Sequence, residues 1–264
     1  MFNRSRAAVA ARPLGWFFVL AFLASWYPSI IGWWLDRPSN PNPLGVLLAA
    51  VVVAAAMGRA VLAELLRSIV RARVALRWYV AALMLPAGIT LAAAMIGGLT
   101  ETSDGVDVWE AGRGLELLDR FVFAFLFVGL GEEPGWRGFA LRQLQRRHGA
   151  LVASLILGMV WAVWHIPLLS TEIAGAQAVP FMVSVVAASV VLAWLYNGSG
   201  GSVPMTMLMH ASVNTFTGGL LFVNREGPAL QRLFWIYAGI WLLIAVWAGW
   251  SLHHSAPPAA PRPA

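Results

Sequence analysis

The sequence contains no cysteine, no lysine and few charged residues of any kind. Because the chain has no thiol, disulfide scaffolds, thiolate metal sites and cysteine nucleophiles are all excluded. Charged residues make up 11% of the chain and hydrophobic residues 59%, a composition far too apolar for an ordinary soluble domain. We therefore predict an integral membrane protein whose main partner is the lipid bilayer.

The formal net charge of +6 does not indicate a nucleic-acid-binding protein. Every basic residue is an arginine, and the arginines form short clusters beside apolar runs instead of lining one solvated face. The first apolar run, residues 14–35, is longer than the apolar region of a cleavable signal peptide. We interpret the arginines as topology signals and the first run as a membrane span.

The apolar runs predict an all-α fold, a polytopic transmembrane helical bundle of about eight spans. Crossing the hydrocarbon core takes roughly 20 apolar residues, and each of the predicted spans is an apolar run of about this length. The predicted spans are residues 14–35, 44–62, 78–99, 117–133, 151–169, 179–196, 203–223 and 230–252.

The positions of the arginines predict that both termini lie inside the cell. Cytoplasmic loops carry an excess of positive charge, whereas the loop between the third and fourth spans is acidic and is expected to be external. The arginines on the predicted inner side are Arg4, Arg6, Arg12, Arg59, Arg67, Arg71, Arg73, Arg77, Arg142, Arg146 and Arg147. The acidic residues of the predicted external loop are Glu101, Asp104, Asp107 and Glu110.

Two further segments complete the predicted organisation. Residues 63–77 alternate aliphatic side chains with arginine at helical spacing, which favours a helix that lies in the membrane interface. The Pro/Ala-rich residues 255–264 cannot bury apolar surface and are predicted to form a disordered cytoplasmic tail. Residues 1–254 are treated as one domain.

A few polar side chains occur inside the apolar runs, where they are expensive. An ionisable group at membrane depth costs about 3 kcal/mol or more, so such groups usually face a cavity and serve a function. In this chain they form three groups, one late in each of the fourth and fifth predicted spans and one inside the seventh. They are Glu132, Glu133, Arg137, His165, His210 and Asn214.

The first group surrounds a proline. Pro134 disfavours the helical conformation of Glu133 and predicts a helix break at membrane depth, which needs a polar cavity. Two adjacent carboxylates cannot both ionise cheaply in a low dielectric, so Glu132 and Glu133 are candidates for one protonated acid and one carboxylate paired with Arg137. The alternative is a charge cluster that extends to the membrane interface.

The histidines have structural alternatives as well. His165 lies among tryptophans, where a histidine is often only a hydrogen-bonded residue of the core. His210 and Asn214 are four residues apart and therefore share one helix face, where they could donate to a developing oxyanion. A polar clamp between helices is the alternative for that pair.

Together, the three groups resemble the motifs of the CAAX protease and bacteriocin-processing family, which includes the eukaryotic prenyl-protein endopeptidase. The first motif of that family has two glutamates, three variable residues and an arginine. Glu132, Glu133 and Arg137 match it, and Gly138 fits the following position. The resemblance covers only the second half of the chain, from Glu132 to Asn214.

The remaining motifs follow in the family's order. Trp161 precedes His165 by one helical turn, with Trp where Phe is usual, and His210 is followed at the fourth position by Asn214. The resemblance implies an intramembrane endopeptidase that acts on a membrane-anchored or lipidated polypeptide. The catalytic residues it implies are Glu132, Glu133, Arg137, His165, His210 and Asn214.

Two mechanisms remain open at this point. In the favoured one, Glu132 is the general base on a water that His165 also contacts, and His210 with Asn214 stabilises the oxyanion. Glu133 and Arg137 then organise the site. Alternatively His165, His210 and Glu132 ligate zinc, since two imidazoles and a carboxylate with an open position form a catalytic metal set. No other cofactor is predicted.

Other designs of intramembrane protease fit the sequence poorly. The residues after His165 do not form a His-Glu-x-x-His helix, and the predicted spans contain no pair of aspartates. The turn at residues 198–200 resembles a serine rhomboid motif, but Asn197 stands where that motif needs glycine. Two non-enzymatic classes remain, namely a bacteriocin-immunity or scaffold protein of the same family and, ranked behind it, a transporter.

The physiological setting is less constrained than the chemistry. Abundant arginine and alanine with no lysine point to a GC-rich genome, so we expect a multi-pass protein of a bacterial cytoplasmic membrane. Prenylated C-termini, bacteriocin leaders and membrane-anchored regulators are all open as substrates. We further predict that Glu132, His165, His210 and Asn214 converge on one water-accessible cavity near the cytoplasmic side.

Overall fold

The computed structural model describes residues 9, 11–98, 113–173, 175–222 and 226–254, and their regular structure is helical with no strand. The all-α prediction is therefore confirmed. The first helices are α1 (Pro13–Trp34), α2 (Leu44–Met57), α3 (Arg59–Ile69) and α4 (Leu76–Gly98). They are followed by α5 (residues 113–145), α6 (Ala150–Trp164), α7 (Ala178–Gly198), α8 (Val203–Phe216) and α9 (Gly227–His254).

Within the described ranges, five helical segments are long and apolar enough to cross a membrane. They are Pro13–Trp34, Leu76–Gly98, Ala150–Ser170, Gly175–Gly198 and Gly227–His254. Helices α2 and α8 have only 14 residues each, and α5 carries charged residues, so the predicted count of eight spans is not confirmed. Arg4, Arg6, the acidic loop of residues 101–110 and the tail of residues 255–264 lie outside the described residues.

Helix α3 is the predicted interfacial helix, but it lies earlier in the chain than expected. The prediction was residues 63–77, whereas the helix ends at Ile69 and residues 71–75 are irregular. The backbone beyond the helix has tertiary partners instead. The Ser202 hydroxyl donates to the Arg71 carbonyl at 2.5 Å, and the Tyr79 hydroxyl donates to the Ala72 carbonyl at 2.6 Å.

The bundle is built around α7, much of whose surface is buried between α6 and α9. Helix α1 packs on α2, and α8 packs on α4. Small residues allow these close approaches, as is usual where helices associate in lipid. At the α6–α7 contact, for example, a Cβ at Gly158 would lie 3.0 Å from the Cβ of Ser189.

Helix α5 is continuous through Pro134, so the predicted helix break at this residue is wrong. Pro134 keeps helical dihedral angles (φ −58°, ψ −39°), and the chain widens into a π-helix over Pro134–Leu141 after an earlier π-helical segment, Ala124–Gly129. Proline lacks an N–H and collides with the carbonyl four residues earlier, and a wider turn relieves both problems. Helix α5 can therefore carry Glu132, Glu133 and Arg137 on one unbroken element.

Close packing of α5 on α2 depends on Gly135. A Cβ at this position would lie 2.8 Å from the Val46 carbonyl oxygen, a backbone atom that can move only with its helix. We expect Gly135→Ala to lower stability by about 1–3 kcal/mol, the range for overpacked cores. The measurement is the thermal unfolding midpoint in detergent. The matched control is Gly88→Ala on α4, where a Cβ meets nothing within 4 Å and alanine favours the helix.

Candidate active site

Helix α5 brings three charged side chains into the interior of the bundle. Glu132 is 2% exposed, and Glu133 and Arg137 are fully buried. The one-turn spacing along α5 places the Arg137 Nη1 atom 2.8 Å from Glu133 Oε1. Buried charges require a partner, and this ion pair supplies one from the same helix. The alternative of a charge cluster at the membrane interface does not describe these residues.

His210 of α8 joins the same carboxylate oxygen. Its Nδ1 lies 2.8 Å from Glu133 Oε1, so Nδ1 carries the proton and donates to Glu133. Nδ1 is thereby occupied, and Nε2 is the ring nitrogen left for other chemistry. The Glu133 carboxylate thus binds Arg137 of its own helix and His210 of α8, and in this way connects α5 to α8.

Glu132 is held by tryptophans instead of by cations. The indole Nε1 of Trp136 donates to Glu132 Oε2 at 3.1 Å, and that of Trp161 donates to the same oxygen at 2.8 Å. Both indoles are buried, at 0% and 4% exposure, so the orientation of the carboxylate is fixed by packed aromatic rings. The second oxygen, Oε1, is the one that can accept a proton.

His165 follows directly after the last residue of α6, and its ring orientation is also fixed. The Nδ1 atom lies 2.8 Å from the Trp161 carbonyl oxygen, which can only accept. Nδ1 therefore bears the hydrogen, and in the neutral ring Nε2 is an acceptor. The ring packs edge-on against Trp161, Trp164 and Phe181, with centroids 5.0–5.5 Å apart.

Trp161 occupies the centre of the cluster, a role that the sequence analysis did not predict. Besides bonding Glu132, its ring lies under the Arg137 guanidinium at 4.3 Å and edge-on to His210 at 5.5 Å. A cation over an indole face is attracted by the ring's quadrupole. The sequence motif identifies Trp161 only as an aromatic residue in place of Phe, and it does not indicate that the N–H of Trp161 or of Trp136 is a hydrogen-bond donor.

Four predicted site residues line one cavity of about 520 Å³, namely Glu132, His165, His210 and Asn214. Glu133 and Arg137 do not line it and lie behind the cavity wall. Asn214 is one helical turn beyond His210 and is exposed to the cavity. Most of the remaining wall is aromatic or aliphatic, including Phe123, Phe127, Phe181, Phe222 and Phe234.

The cavity opens towards one end of the bundle. Its lining includes Asn40, Glu172 and Ile173 from connections of the end of the bundle opposite the arginine clusters. The sequence analysis predicts both a cavity near the cytoplasmic side and arginines on that side. Since the cavity and the arginine clusters lie at opposite ends, the two predictions cannot both be right. A helix has two ends, and the sequence pattern alone could not tell to which end the cavity would open.

The three predicted zinc ligands already make other hydrogen bonds. Among the described residues, no group of three or more His, Cys, Asp or Glu side chains is placed to hold a metal ion. Glu132 Oε2 already accepts two indole N–H groups, and His210 Nδ1 is committed to Glu133. Oε1 of Glu132 and Nε2 of His210 take no part in these bonds, and zinc binding by His165, His210 and Glu132 stays a prediction.

Comparison with known proteins identifies related sequences. Residues 115–216 match the family described as type II CAAX prenyl endopeptidase Rce1-like. The chain is also 26% identical over 130 residues to CAAX prenyl protease 2 of Methanococcus maripaludis, an alignment that covers 45% of this chain and 48% of that protein. The match thus spans about half the length of the curated relative. The family match covers the region that contains the clustered residues.

Proposed function

We propose that this chain, a member of the CAAX protease and bacteriocin-processing family, is an intramembrane endopeptidase that hydrolyses a peptide bond of a membrane-anchored polypeptide. The observation that carries the proposal is the convergence of Glu132, His165, His210 and Asn214 on one cavity. Peptide hydrolysis needs an activated water, donors for the oxyanion and a compartment away from lipid. The four side chains can supply the first two, and the cavity is the compartment.

Glu132 and His165 are the pair that positions the attacking water. Oε1 of Glu132 accepts one of its hydrogens, because Oε2 is held by the two indoles. The neutral His165 ring accepts the other hydrogen at Nε2, since Nδ1 donates to the Trp161 carbonyl. The water's lone pair is then directed at the substrate carbonyl carbon, and a general base of this kind contributes about 10²–10⁴ in rate.

His210 and Asn214 are the pair that stabilises the oxyanion. The Asn214 amide donates through Nδ2, and His210 donates through Nε2 in its imidazolium form. Glu133 supports that form because its carboxylate accepts the Nδ1–H of the ring at 2.8 Å. Donors fixed before the reaction stabilise developing charge without reorganisation.

The reaction forms one C–O bond, breaks one C–N bond and transfers one proton through Glu132, and it needs no reactant besides water and the peptide. As the water oxygen bonds to the carbonyl carbon, one proton passes to Glu132. The C–N bond then breaks, and the same proton moves from Glu132 to the leaving nitrogen. The products are a new carboxylic acid, which keeps the second hydrogen of the water until it ionises to solvent, and a new amine, and Glu132 returns to its starting state.

Glu133 and Arg137 are positioning residues in this mechanism. Neither lines the cavity, but Glu133 orients the His210 ring and Arg137 balances its charge. Arg137 also lies over Trp161, whose N–H orients Glu132. Glu133 and Arg137 thus connect the residues that bind the water with those that stabilise the oxyanion, through contacts behind the cavity wall.

The substrate class follows from the cavity walls and from the relative. An apolar, aromatic wall suits a hydrocarbon chain or an apolar anchor segment beside the scissile bond. The relative from Methanococcus maripaludis is described as a CAAX prenyl protease, which favours a prenylated or otherwise lipidated polypeptide. The proposed location is a bacterial cytoplasmic membrane.

The oxyanion role predicts the effect of replacing Asn214. We expect Asn214→Ala to lower kcat about 10²–10³-fold with little change in KM, as when one oxyanion donor is removed. The measurement is steady-state cleavage of a lipidated peptide by purified protein. The control is Asn197→Ala, which removes an amide that accepts from Gln145 far from the cavity. An unchanged kcat in the Asn214 variant would assign the oxyanion role elsewhere.

The zinc alternative is tested separately. Without a resident metal, cleavage by purified protein is expected to survive prolonged dialysis against a chelator, with no loss of rate. Activity that disappears on dialysis and returns with zinc would instead favour the ligand set His165, His210 and Glu132.

A non-catalytic immunity or scaffold protein is the rival function. It predicts that Glu132→Ala and His210→Ala accumulate in membranes and keep full function in the cell. The peptidase predicts that both variants accumulate and lose function. Comparing membrane abundance with function for these two variants distinguishes the rivals.

A further inference from the structure

The two ends of the bundle are distinct in composition and in contacts. One end, named here the arginine-rich end, carries the connections of residues 58–75, 146–149 and 199–202. It is held together by contacts such as that of Arg71 with the Gly200 carbonyl. The other, named the mouth end, carries residues 35–43, 165–173 and 175–177, and the first two of these segments meet where Asn40 Nδ2 donates to Glu172 Oε1 at 2.5 Å.

Charge separates the two ends. The arginine-rich end has Glu64 as its acidic residue, and this carboxylate contacts Arg67, Arg71 and Arg142 at 3.1–3.6 Å. The arginines of the arginine-rich end are Arg12, Arg59, Arg67, Arg71, Arg73, Arg77, Arg142, Arg146 and Arg147. At the mouth end, the charged residues with described positions are Asp36, Arg37, Arg113, Glu116, Asp119, Arg120, Glu172, Glu226 and Arg232.

This asymmetry sets the orientation of the chain in a membrane. Short loops rich in arginine stay on the cytoplasmic side, whereas acidic residues have little influence. Nine arginines of the described chain lie at one end, against four at the other. The arginine-rich end is therefore the cytoplasmic one, and the mouth end faces the opposite side.

The cavity extends from the middle of the bundle towards the mouth end. Its lining reaches from Glu132 and His210 at the middle of the bundle to Asn40, Arg120 and Glu172 at the mouth end. None of the described connections at the arginine-rich end contributes to the lining. His165, beyond the last turn of α6, is also at the mouth side of its helix. The path from the clustered residues to solvent thus leads away from the arginines.

We infer that the cavity opens to the extracytoplasmic side of the membrane, so that the substrate is a membrane-anchored polypeptide whose scissile bond is presented from that side. The substrate class rests on the proposed peptidase function. The direction of opening rests only on the cavity and the arginines. A substrate anchored in the outer leaflet enters between Arg120 and Glu172, and its apolar anchor lies along the phenylalanines of the wall.

Because the chain has no cysteine, single-cysteine labelling can test the direction without background. The first pair of variants is Ala176→Cys at the mouth end and Ala75→Cys at the arginine-rich end, both at exposed positions. Intact cells are treated with a membrane-impermeant maleimide before and after permeabilisation. We expect full labelling of Ala176→Cys in intact cells and labelling of Ala75→Cys only after permeabilisation.

A second pair guards against a variant that fails to fold. Arg37→Cys and Arg73→Cys are exposed residues of the mouth end and the arginine-rich end, respectively, and the same pattern is expected. Mouth-end variants that label only after permeabilisation overturn the inference. Labelling needs no catalysis, so that outcome leaves the peptidase proposal standing, and failure of purified protein to cleave leaves the orientation standing.

Discussion

Replacing Glu132 with glutamine is expected to abolish peptide cleavage while leaving the fold intact. Glutamine keeps the shape and can still accept an indole N–H through its carbonyl, but it cannot take a proton from water. The expected loss in kcat is about 10²–10⁴-fold or more, the contribution of a positioned general base. The measurement is single-turnover cleavage of a lipidated, membrane-anchored peptide by purified protein.

The matched control for Glu132→Gln is Asp119→Asn on the same helix. Asp119 is exposed near the start of α5 and does not line the cavity, so this carboxylate-to-amide change should leave kcat unaltered. Both variants should show the thermal unfolding midpoint of the unmodified chain. A Glu132→Gln protein that cleaves at the normal rate would remove Glu132 from the chemistry.

Replacing Arg137 with methionine is expected to cause the largest loss of stability. Methionine has a similar length but no charge, so the two buried carboxylates of Glu132 and Glu133 would be left to share the His210 imidazolium as their cation. Breaking one side of a buried ion pair costs about 3–5 kcal/mol, because an uncompensated charge remains. The measurement is the thermal unfolding midpoint in detergent and the amount of folded protein in membranes.

Two further variants separate charge from packing at Arg137. Arg146→Met makes the same substitution at an exposed site, where we expect no measurable change. The double variant Glu133→Gln, Arg137→Met removes both charges and should be more stable than Arg137→Met alone. If the double variant is the less stable of the two, the uncompensated carboxylate is not the cause.

Much of the fold could be predicted from apolar run length. The spans predicted at residues 14–35, 78–99 and 230–252 agree closely with α1, α4 and α9, because a long apolar run in lipid has the helix as its main option. The predictions failed where backbone groups form hydrogen bonds with side chains of other segments. Residues 71–75 leave the helix because Ser202 and Tyr79 supply hydrogen bonds, and no local pattern encodes those contacts.

The outcome at Pro134 shows a second limit. Local rules give proline a helix-breaking tendency, and the sequence offers no sign of the wider turn that accommodates it. The π-helical segment Pro134–Leu141 keeps α5 continuous and packs Gly135 against α2. The segment with the wider turn contacts α2, which is far away in sequence, and no local pattern predicts that contact.

The residues of the candidate site could be predicted from the sequence, but the contacts between them across helices could not. Spacing placed Glu133 beside Arg137 and His210 beside Asn214, since residues four apart share a helix face. The contacts between helices were not predictable, among them the indole of Trp161 on Glu132 and the ring of His210 on Glu133. Such contacts depend on how α5, α6 and α8 pack.

The most direct test of the central proposal is hydrolysis of a lipidated, membrane-anchored peptide by purified protein in water enriched in ¹⁸O. Mass spectrometry should detect two fragments, with one heavy oxygen in the new carboxylate. Glu132→Gln protein should leave the peptide whole. A peptide that stays intact with unmodified protein, or fragments that form equally well with Glu132→Gln protein, would contradict catalysis by this buried cluster.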